Sequence, residues 1–425
     1  MKNVDRFVFV AAIAANIGLT GAAHAGGFGI LSQSVSALGN AFAGGAAAGE
    51  DASTVWYNPA GMGRLSGFNA STALHIVKPS AEFQNTASTG AFALPGTGEG
   101  GNGGGVAGVP QGYVVSSLGD NWRLGVGFNA PFGLKTEYNS GWRGQVTALK
   151  SEATAFNLNP SAAYKINDSV WLGAGLSVQR FSTVLTNFAG PLGNARLKAS
   201  DTGWGFNLGA LFDASKDTRV GIAYRSKIHF KPSGNATFTS GAGVFDSAAR
   251  TDLTVPETAS VNVVTNLPPD WEVMGGATWT RWSRLQNLTV TRTTASALGP
   301  AGSVVTTLPF NWRNTVLLAA GANYKVSDAW KLRFGAAYDP AVSNDVSRTA
   351  RLPDQSRVLV ALGAQLKPDQ GGEWKNWTFD FAYGHEFIKD ARISNNVAGV
   401  PGTLVGKFQN NANVVSFQAN YGFRL

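Results

Sequence analysis

The chain has 425 residues, 53 of them glycine and none cysteine, and only 14% are charged. Soluble domains carry roughly 25% charged residues, and a chain without cysteine has no disulfide framework, thiolate metal site or thiol nucleophile. The net charge of +8 is spread along the chain and not gathered into runs; this argues against nucleic-acid binding and suggests only a mild preference for anionic surfaces or ligands.

Residues 1–25 read as a secretory signal. Lys2 and Arg6 give a basic start, Phe7 to Ala15 is an apolar stretch too short to span a bilayer, and Ala23-His24-Ala25 is a small-x-small cleavage site. The competing reading is a helical anchor. Cleavage leaves Gly26 as the mature N-terminus and removes Lys2, Arg6 and Asp5, so +8 becomes +7. Beyond this segment no run of about 18 apolar residues occurs, so no transmembrane helix is written in the sequence. Export without cysteine fits the periplasm or outer membrane and excludes lipid attachment through an N-terminal cysteine.

Residues 26–63 are rich in glycine and alanine ("SVSALGNAFAGGAAAGEDAS") and show no strand pattern. They end near Asn58-Pro59-Ala60. Pro59 lacks an N–H and holds Asn58 extended, while the Asn58 side chain can bond nearby backbone. The result is a rigid bend, or, in the plainer reading, an ordinary Asx-Pro turn before a strand.

A first strand begins near Gly67 ("GFNASTALHIV"). Six segments then share one design, a tight polar turn followed by an alternating strand. They are "GDNWRLGVGF" from Gly119, "NDSVWLGAGL" from Asn167, "SKDTRVGIAY" from Ser215, "PPDWEVMGGATW" from Pro268, "SDAWKLRFGAAY" from Ser327 and "KNWTFDFAYG" from Lys375. Each opens a further hairpin. Leu172, Ala174, Leu176 and Val178 share one face, opposite Gly173, Gly175, Ser177 and Gln179. Trp377, Phe379, Phe381 and Tyr383 do the same, and so do Leu332, Phe334, Ala336 and Tyr338. Aromatics cluster near the turns, as in an interfacial girdle.

A soluble sandwich also alternates. Strands of about ten residues, short turns on one side, long connections on the other and an export signal favour a barrel in the outer membrane. Seven outgoing and seven returning strands predict a 14-stranded antiparallel transmembrane β-barrel over residues 64–425. The closing strand, "VVSFQANYGFRL", keeps Val415, Phe417, Ala419, Tyr421, Phe423 and Leu425 in phase. A barrel of this width leaves a lumen, and residues 26–63 are the segment available to plug it.

Two motifs are set aside. Gly98 to Gly105 lacks the strand–helix setting of a phosphate loop and reads as a flexible outer loop. The histidines, His24, His75, His229 and His385, have no metal-ligand spacing. No metal or cofactor is implied. Barrel lipases pair Ser with His, but no matching serine motif accompanies His385, so an enzyme is not expected.

The sequence resembles the FadL family of outer-membrane channels for long-chain fatty acids and other hydrophobic compounds, FadL and TodX among them. The resemblance rests on "GGFGILSQSVSALGNAFAGGAAAGEDASTVWYNPAGM" with its Asn58-Pro59-Ala60 signature. It rests also on "GLKTEY" (Gly133 to Tyr138), "LNPSAAYKIND" (Leu158 to Asp168), "VGIAYRS" (Val220 to Ser226), "VPETASV" (Val255 to Val261) and "LPDQSR" (Leu352 to Arg357). It covers essentially all of the mature chain.

The resemblance implies an N-terminal hatch at 26–63 and passive uptake. A hydrophobic ligand is captured in a groove of extracellular loops, bound near the mature N-terminus, and released sideways through a gap at a kinked third strand. By that resemblance Phe28 touches ligand, and Pro131, Phe132 and Gly133 are the kink residues. Pro131 cannot donate to a ladder and Gly133 tolerates unusual dihedrals. The groove is expected from two loops, Thr183 to Asp201 with Phe188, Leu192 and Leu197, and His229 to Val255 with Phe230, Phe238, Val244 and Phe245. Arg196 and Lys198 could meet a carboxylate but read better as solvated loop charge. The expected partners are a long-chain fatty acid or other hydrophobic small molecule, and outer-membrane lipid with lipopolysaccharide. A self-contained plugged barrel is expected to work as a monomer. The alternatives are an aromatic-hydrocarbon channel of the same fold and a general porin for polar solutes, though a porin has no reason for a hatch.

Overall fold

The computed structural model describes residues 26–368 and 371–423. The signal segment and Leu425 lie outside the described residues. Fourteen antiparallel strands close on themselves: β1 (Phe68–Asn85), β2 (Ala107–Leu118), β3 (Trp122–Glu137), β4 (Lys150–Asn167), β5 (Val170–Phe188), β6 (Asn194–Asp213), β7 (Thr218–Arg225), β8 (Thr258–Leu267), β9 (Trp271–Thr280), β10 (Thr315–Lys325), β11 (Trp330–Asp339), β12 (Arg357–Leu366), β13 (Trp377–Ile388) and β14 (Val400–Phe423). Each pairs with its neighbour, and β14 closes on β1 from Phe68↔Phe423 to Asn85↔Gly406. Closure leaves no open edge at the seam, the condition for a sheet to sit in lipid.

The alternation read from the sequence divides lipid from lumen. Leu172, Leu176, Val178, Phe334, Phe381 and Phe417 are all exposed, whereas Ser177, Gln179, Arg333, Asp380 and Gln418 are buried inside. Beside the tight turns Trp122 packs at a tilt against Tyr164 and Trp271 against Tyr324, each at 4.7 Å between ring centroids. These pairs form the aromatic girdle of the short-turn side.

The strands outrun the bilayer. The segment Thr183 to Asp201, read as a loop, is the paired outer ends of β5 and β6, which bond to one another from Val170↔Phe212 up to Phe188↔Asn194. His229 to Val255 is also ordered. Ile228–Phe230 and Leu253–Val255 form a two-stranded ribbon, while Ser233–Ser240 and Gly243–Thr251 extend β6 into an outer sheet completed by Asn287–Arg292 and Val304–Pro309. Polar side chains alternate with small ones here. Away from lipid no apolar face is needed, so the strand signal fades although the ladder continues.

Residues 26–65 run through the lumen. Short helices α1 (Val35–Gly39), α2 (Gly45–Ala48) and α3 (Thr54–Tyr57) are followed by a 3₁₀ turn at Pro59–Arg64. Ser34 caps α1 by accepting the Ala37 N–H at 3.3 Å. The plug sits against wall positions that carry no side chain. A Cβ at Gly209 would meet Asn58 and Pro59, one at Gly173 would meet Pro59 and Ala60, and one at Gly221 would meet the Ala46 backbone. Inward-facing glycines thus mark where the plug touches the wall.

Candidate functional site

Asn58 is wholly buried and extended (φ −159°, ψ 107°). Its Oδ1 accepts the Ala60 N–H at 3.0 Å, and its Nδ2 donates to the carbonyls of Ala46 (2.7 Å) and Ala210 (3.0 Å). Pro59 occupies the first position of the 3₁₀ turn, where the missing N–H costs nothing. The Asn58-Pro59-Ala60 bend therefore ties three pieces together: itself, α2 and the inner face of β6.

Charge secures the same end of the plug. Arg333 on β11 meets Glu50 at 2.7 Å and Asp380 on β13 at 3.0 Å, and Lys331 meets Glu50 at 3.0 Å. Burial pushes the Glu50 carboxyl up, but Arg333 and Lys331 outweigh it and hold the group ionised, well below the usual carboxylate range.

The other end of the plug is apolar. Phe28 is buried, with Phe132 and Trp282 each at 5.5 Å and Trp312 at 5.8 Å between ring centroids. Phe181, Ile228, Phe230, Leu253 and Val255 extend this cluster, so the inner ribbon is its roof. Phe28 and Phe132 are brought together as the sequence reading proposed. Trp282 and Trp312 were missed, because each sits where its strand pattern has already broken off and no spacing links them to Phe28. Phe230 was assigned to an outer groove but lies in this internal cluster, while Phe238 packs in the outer sheet with Leu197, Ala236, Ala249 and Val290. Phe188 and Leu192 are at the tip of the β5–β6 hairpin, and Leu192 is exposed. Of the groove candidates, Leu197, Phe238 and Phe245, from both proposed loops, pack together in the outer sheet beside the β5–β6 tip, while Phe230 lies apart in the internal cluster.

Pro131, Phe132 and Gly133 lie at a bulge in β3. The β3–β4 register slips between Asn129↔Asn157 and Phe132↔Ala155, so Ala130 and Pro131 oppose one residue, Phe156. β2 and β3 separate at the same height: their ladder ends at Gly112↔Phe128, and Ala107 to Gln111 have no ladder partner on the β3 side. β3 bonds instead to the start of the plug. The Ile30 N–H donates to the Pro131 carbonyl at 2.8 Å, and the Gly133 N–H donates to the Phe28 carbonyl at 2.9 Å. Above the breach the Glu137 N–H donates to the Gly103 carbonyl at 2.9 Å, so the opening is a window in the wall.

A cavity of about 170 Å³ adjoins both ends of the plug; Ile30, Phe42, Trp56, Phe132, Trp282 and Leu317 supply its apolar lining. At its rim the Gly26 N–H donates to Asp339 at 2.5 Å, and Asp339 shares Arg357 with Asp354 and Glu386. No group of metal-ligating side chains occurs among the described residues.

A lumen filled by a pinned plug, an apolar internal cavity and a window toward lipid together define a channel for hydrophobic compounds. The profile of outer membrane protein transport proteins (OMPP1/FadL/TodX) matches residues 17–423, and the chain belongs to this family of the Gram-negative outer membrane. Outer membrane protein P1 of Haemophilus influenzae is 29% identical over 82% of this chain and 84% of its own length. The long-chain fatty acid transport protein of Escherichia coli K12 is 24% identical over 80% and 84%. Among solved structures, a Pseudomonas aeruginosa FadL homologue superimposes with a TM-score of 0.84 at 25% identity, covering 94% of this chain and all of that one. The Ralstonia pickettii toluene transporter TbuX gives 0.67 at 19% identity, covering 94% and 99%.

Proposed function

We propose that the protein takes up long-chain fatty acids or related hydrophobic compounds passively, as a monomer, by capture at the outer surface, binding beside Phe28 and release through the β2–β3 window into the membrane. The observation that carries this reading is that Phe28 and the kinked strand form one hydrogen-bonded unit. A ligand that takes the place of Phe28 among Phe132, Trp282 and Trp312 also removes the two backbone bonds that hold β3 inward. Each such bond contributes about 1 kcal/mol. Each buried CH₂ contributes roughly 0.8 kcal/mol, so a few methylenes of an acyl chain offset the loss. Lateral release suits such cargo, because it need never enter water.

One observation favours the aromatic alternative. The cavity holds about 170 Å³, and an apolar cavity of roughly 150 Å³ accommodates benzene; a long acyl chain needs the N-terminal residues displaced. A general porin is disfavoured by the filled lumen. The related proteins named for fatty-acid and for toluene transport share the fold, which supports the class of cargo and not its identity.

The test is uptake of a labelled long-chain fatty acid and of labelled toluene by cells lacking their own transporters. Deleting Pro131 leaves one β3 residue opposite Phe156 and restores the β3–β4 register. At equal amounts in the outer membrane, this variant is expected to lose uptake of whichever cargo the parent admits. Undiminished uptake would refute release through the window, and entry of small sugars alone would favour the porin.

A further inference from the structure

Two arginines on the inward face of β7 have different surroundings. Arg219 is paired with Glu272 on β9 at 3.1 Å. Arg225, six residues on and on the same face, lies inside the wall and forms no salt bridge among the described residues; its hydrogen-bond partners are all neutral. Its contacts are the Ser177 hydroxyl at 2.7 Å, the Trp56 carbonyl at 2.8 Å and the Asn159 Oδ1 at 3.4 Å. Its guanidinium carbon stands 3.5 Å from the centre of the Trp56 ring. Buried charges are ordinarily paired, and at the plug interface Arg219, Arg333 and Arg357 have carboxylate partners, whereas Arg123 has none among the described residues and spends its donors by the tight turn on the carbonyls of Leu65, Gly119, Asp120 and Trp122, away from the cavity. Arg351 also lacks one, but it spends its donors in the outer loops on the carbonyls of Lys150 and Thr186 and the side chains of Ser151 and Asn187, away from the cavity.

Arg225 lines the cavity and, among the described residues, is the one cationic side chain in its lining, whose one carboxylate, Asp339, is taken up by Gly26 and Arg357. Its three hydrogen bonds leave two of the five N–H donors of a guanidinium. We infer that Arg225 is the anchor for an anionic head group, so that the cavity selects amphiphiles bearing a carboxylate over neutral hydrocarbons of the same length. The inference rests on the reading that the transported compound occupies this cavity, and it adds a specificity-determining residue to that reading. A carboxylate would supply the missing countercharge in a site of low dielectric, where charge-assisted hydrogen bonds are strong. The apolar lining would take the start of the chain. The plainer role for Arg225 is a latch on the plug through Trp56, and the experiment must separate the two.

The full-length protein in detergent is titrated with palmitate and with hexadecanol at pH 8, each competing with a fluorescent fatty acid. The unmodified protein is expected to bind palmitate at least tenfold more tightly than hexadecanol. Arg225→Gln should collapse that ratio toward one, and Arg225→Lys should restore part of it. Equal binding of the two ligands by the unmodified protein overturns the anchor while leaving a hydrophobic channel in place. An equal loss of both in Arg225→Gln, with the ratio kept, overturns it in favour of the latch. Failure of the unmodified protein to bind either ligand overturns the anchor and the cargo reading together. Should Arg225→Gln not fold, the ratio in the unmodified protein and in Arg225→Lys still decides.

Discussion

The two ends of the plug are held by different physics. At the Asn58 end buried polar groups bond across the plug: one asparagine spans plug and wall, and Glu50 lies between Arg333 and Lys331. At the Phe28 end two backbone hydrogen bonds to β3, one bond from Gly26 to Asp339 and tilted or edge-on ring contacts hold the chain. Removing one partner of a buried polar set leaves the others stranded, so that end resists gradual displacement. Apolar ring contacts can be exchanged for another apolar surface at little cost. The contrast fits a plug with a fixed base and a replaceable tip.

Breaking the base should have the largest effect. Arg333→Leu leaves Glu50 and Asp380 buried beside no guanidinium, at a cost of about 3–5 kcal/mol. The expected outcome is a fall in the temperature at which the barrel loses its heat-modifiable gel mobility, together with leakage of small polar dyes. An unchanged transition with a tight lumen would show that the base is not held by this charge. At the tip, Phe28→Ala removes a buried ring at about 3 kcal/mol. Because the tip should open locally, hydrogen exchange at Ile30 and Gly133 is expected to quicken by about a hundredfold while the gel transition moves little. Protection lost evenly along the plug would erase the distinction between base and tip.

Asn58→Ala strands the Ala46 and Ala210 carbonyls and should cost about 2 kcal/mol. The expected sign is exchange at Ala60 and Gly61 rising before exchange at Ile30. The smallest effect concerns pH. Glu257, in the connection between the inner ribbon and β8, lies between Arg281 (3.2 Å) and Arg284 (2.7 Å). Burial pushes its carboxyl up, but the bonds from Arg284 and Arg281 outweigh this and hold it at about 2 against an ordinary 4.5. A depressed carboxylate stabilises fully above its ordinary value, and the contribution disappears as pH falls toward about 2. Ordering of the ribbon, followed by tryptophan fluorescence from Trp282, should therefore weaken below about pH 4.5, and Glu257→Gln should flatten that dependence. The Asn58 bend itself has no ionisable group and should keep its exchange at Ala60, whereas the Glu50 pairing beside it should weaken in the same direction as Glu257.

Much of the barrel could be read in the sequence because lipid enforces a strict rule. Leu172, Leu176 and Val178 must face out, and glycine and serine then fall inward. The tight turns repeat often enough to count the strands. The Asn58 bend was legible because proline and asparagine restrict the backbone locally, and the β3 bulge because Pro131 cannot serve a ladder. Outside the bilayer the rule lapses, and the outer ends of β5 and β6 passed for a loop. The tip of the plug was legible only through Phe28, since Trp282 and Trp312 meet it through the fold. Arg225 lay within a family motif, but its missing countercharge is a property of the space around it.

The plug also fixes an order of events. Its first residues find their partners far down the chain: Gly26 at Asp339, Asn40 at Asn323 and Val35 at Gln418. Those partners lie on β10, β11 and β14, so the seat of the plug is unfinished until the last strand has closed the ring. The segment synthesised earliest among the described residues is thus settled last. Until then its glycine- and alanine-rich helices have only the part of their seat that β6 and β7 supply, and an assembling chain must keep the rest free of other contacts while the wall is laid down around them.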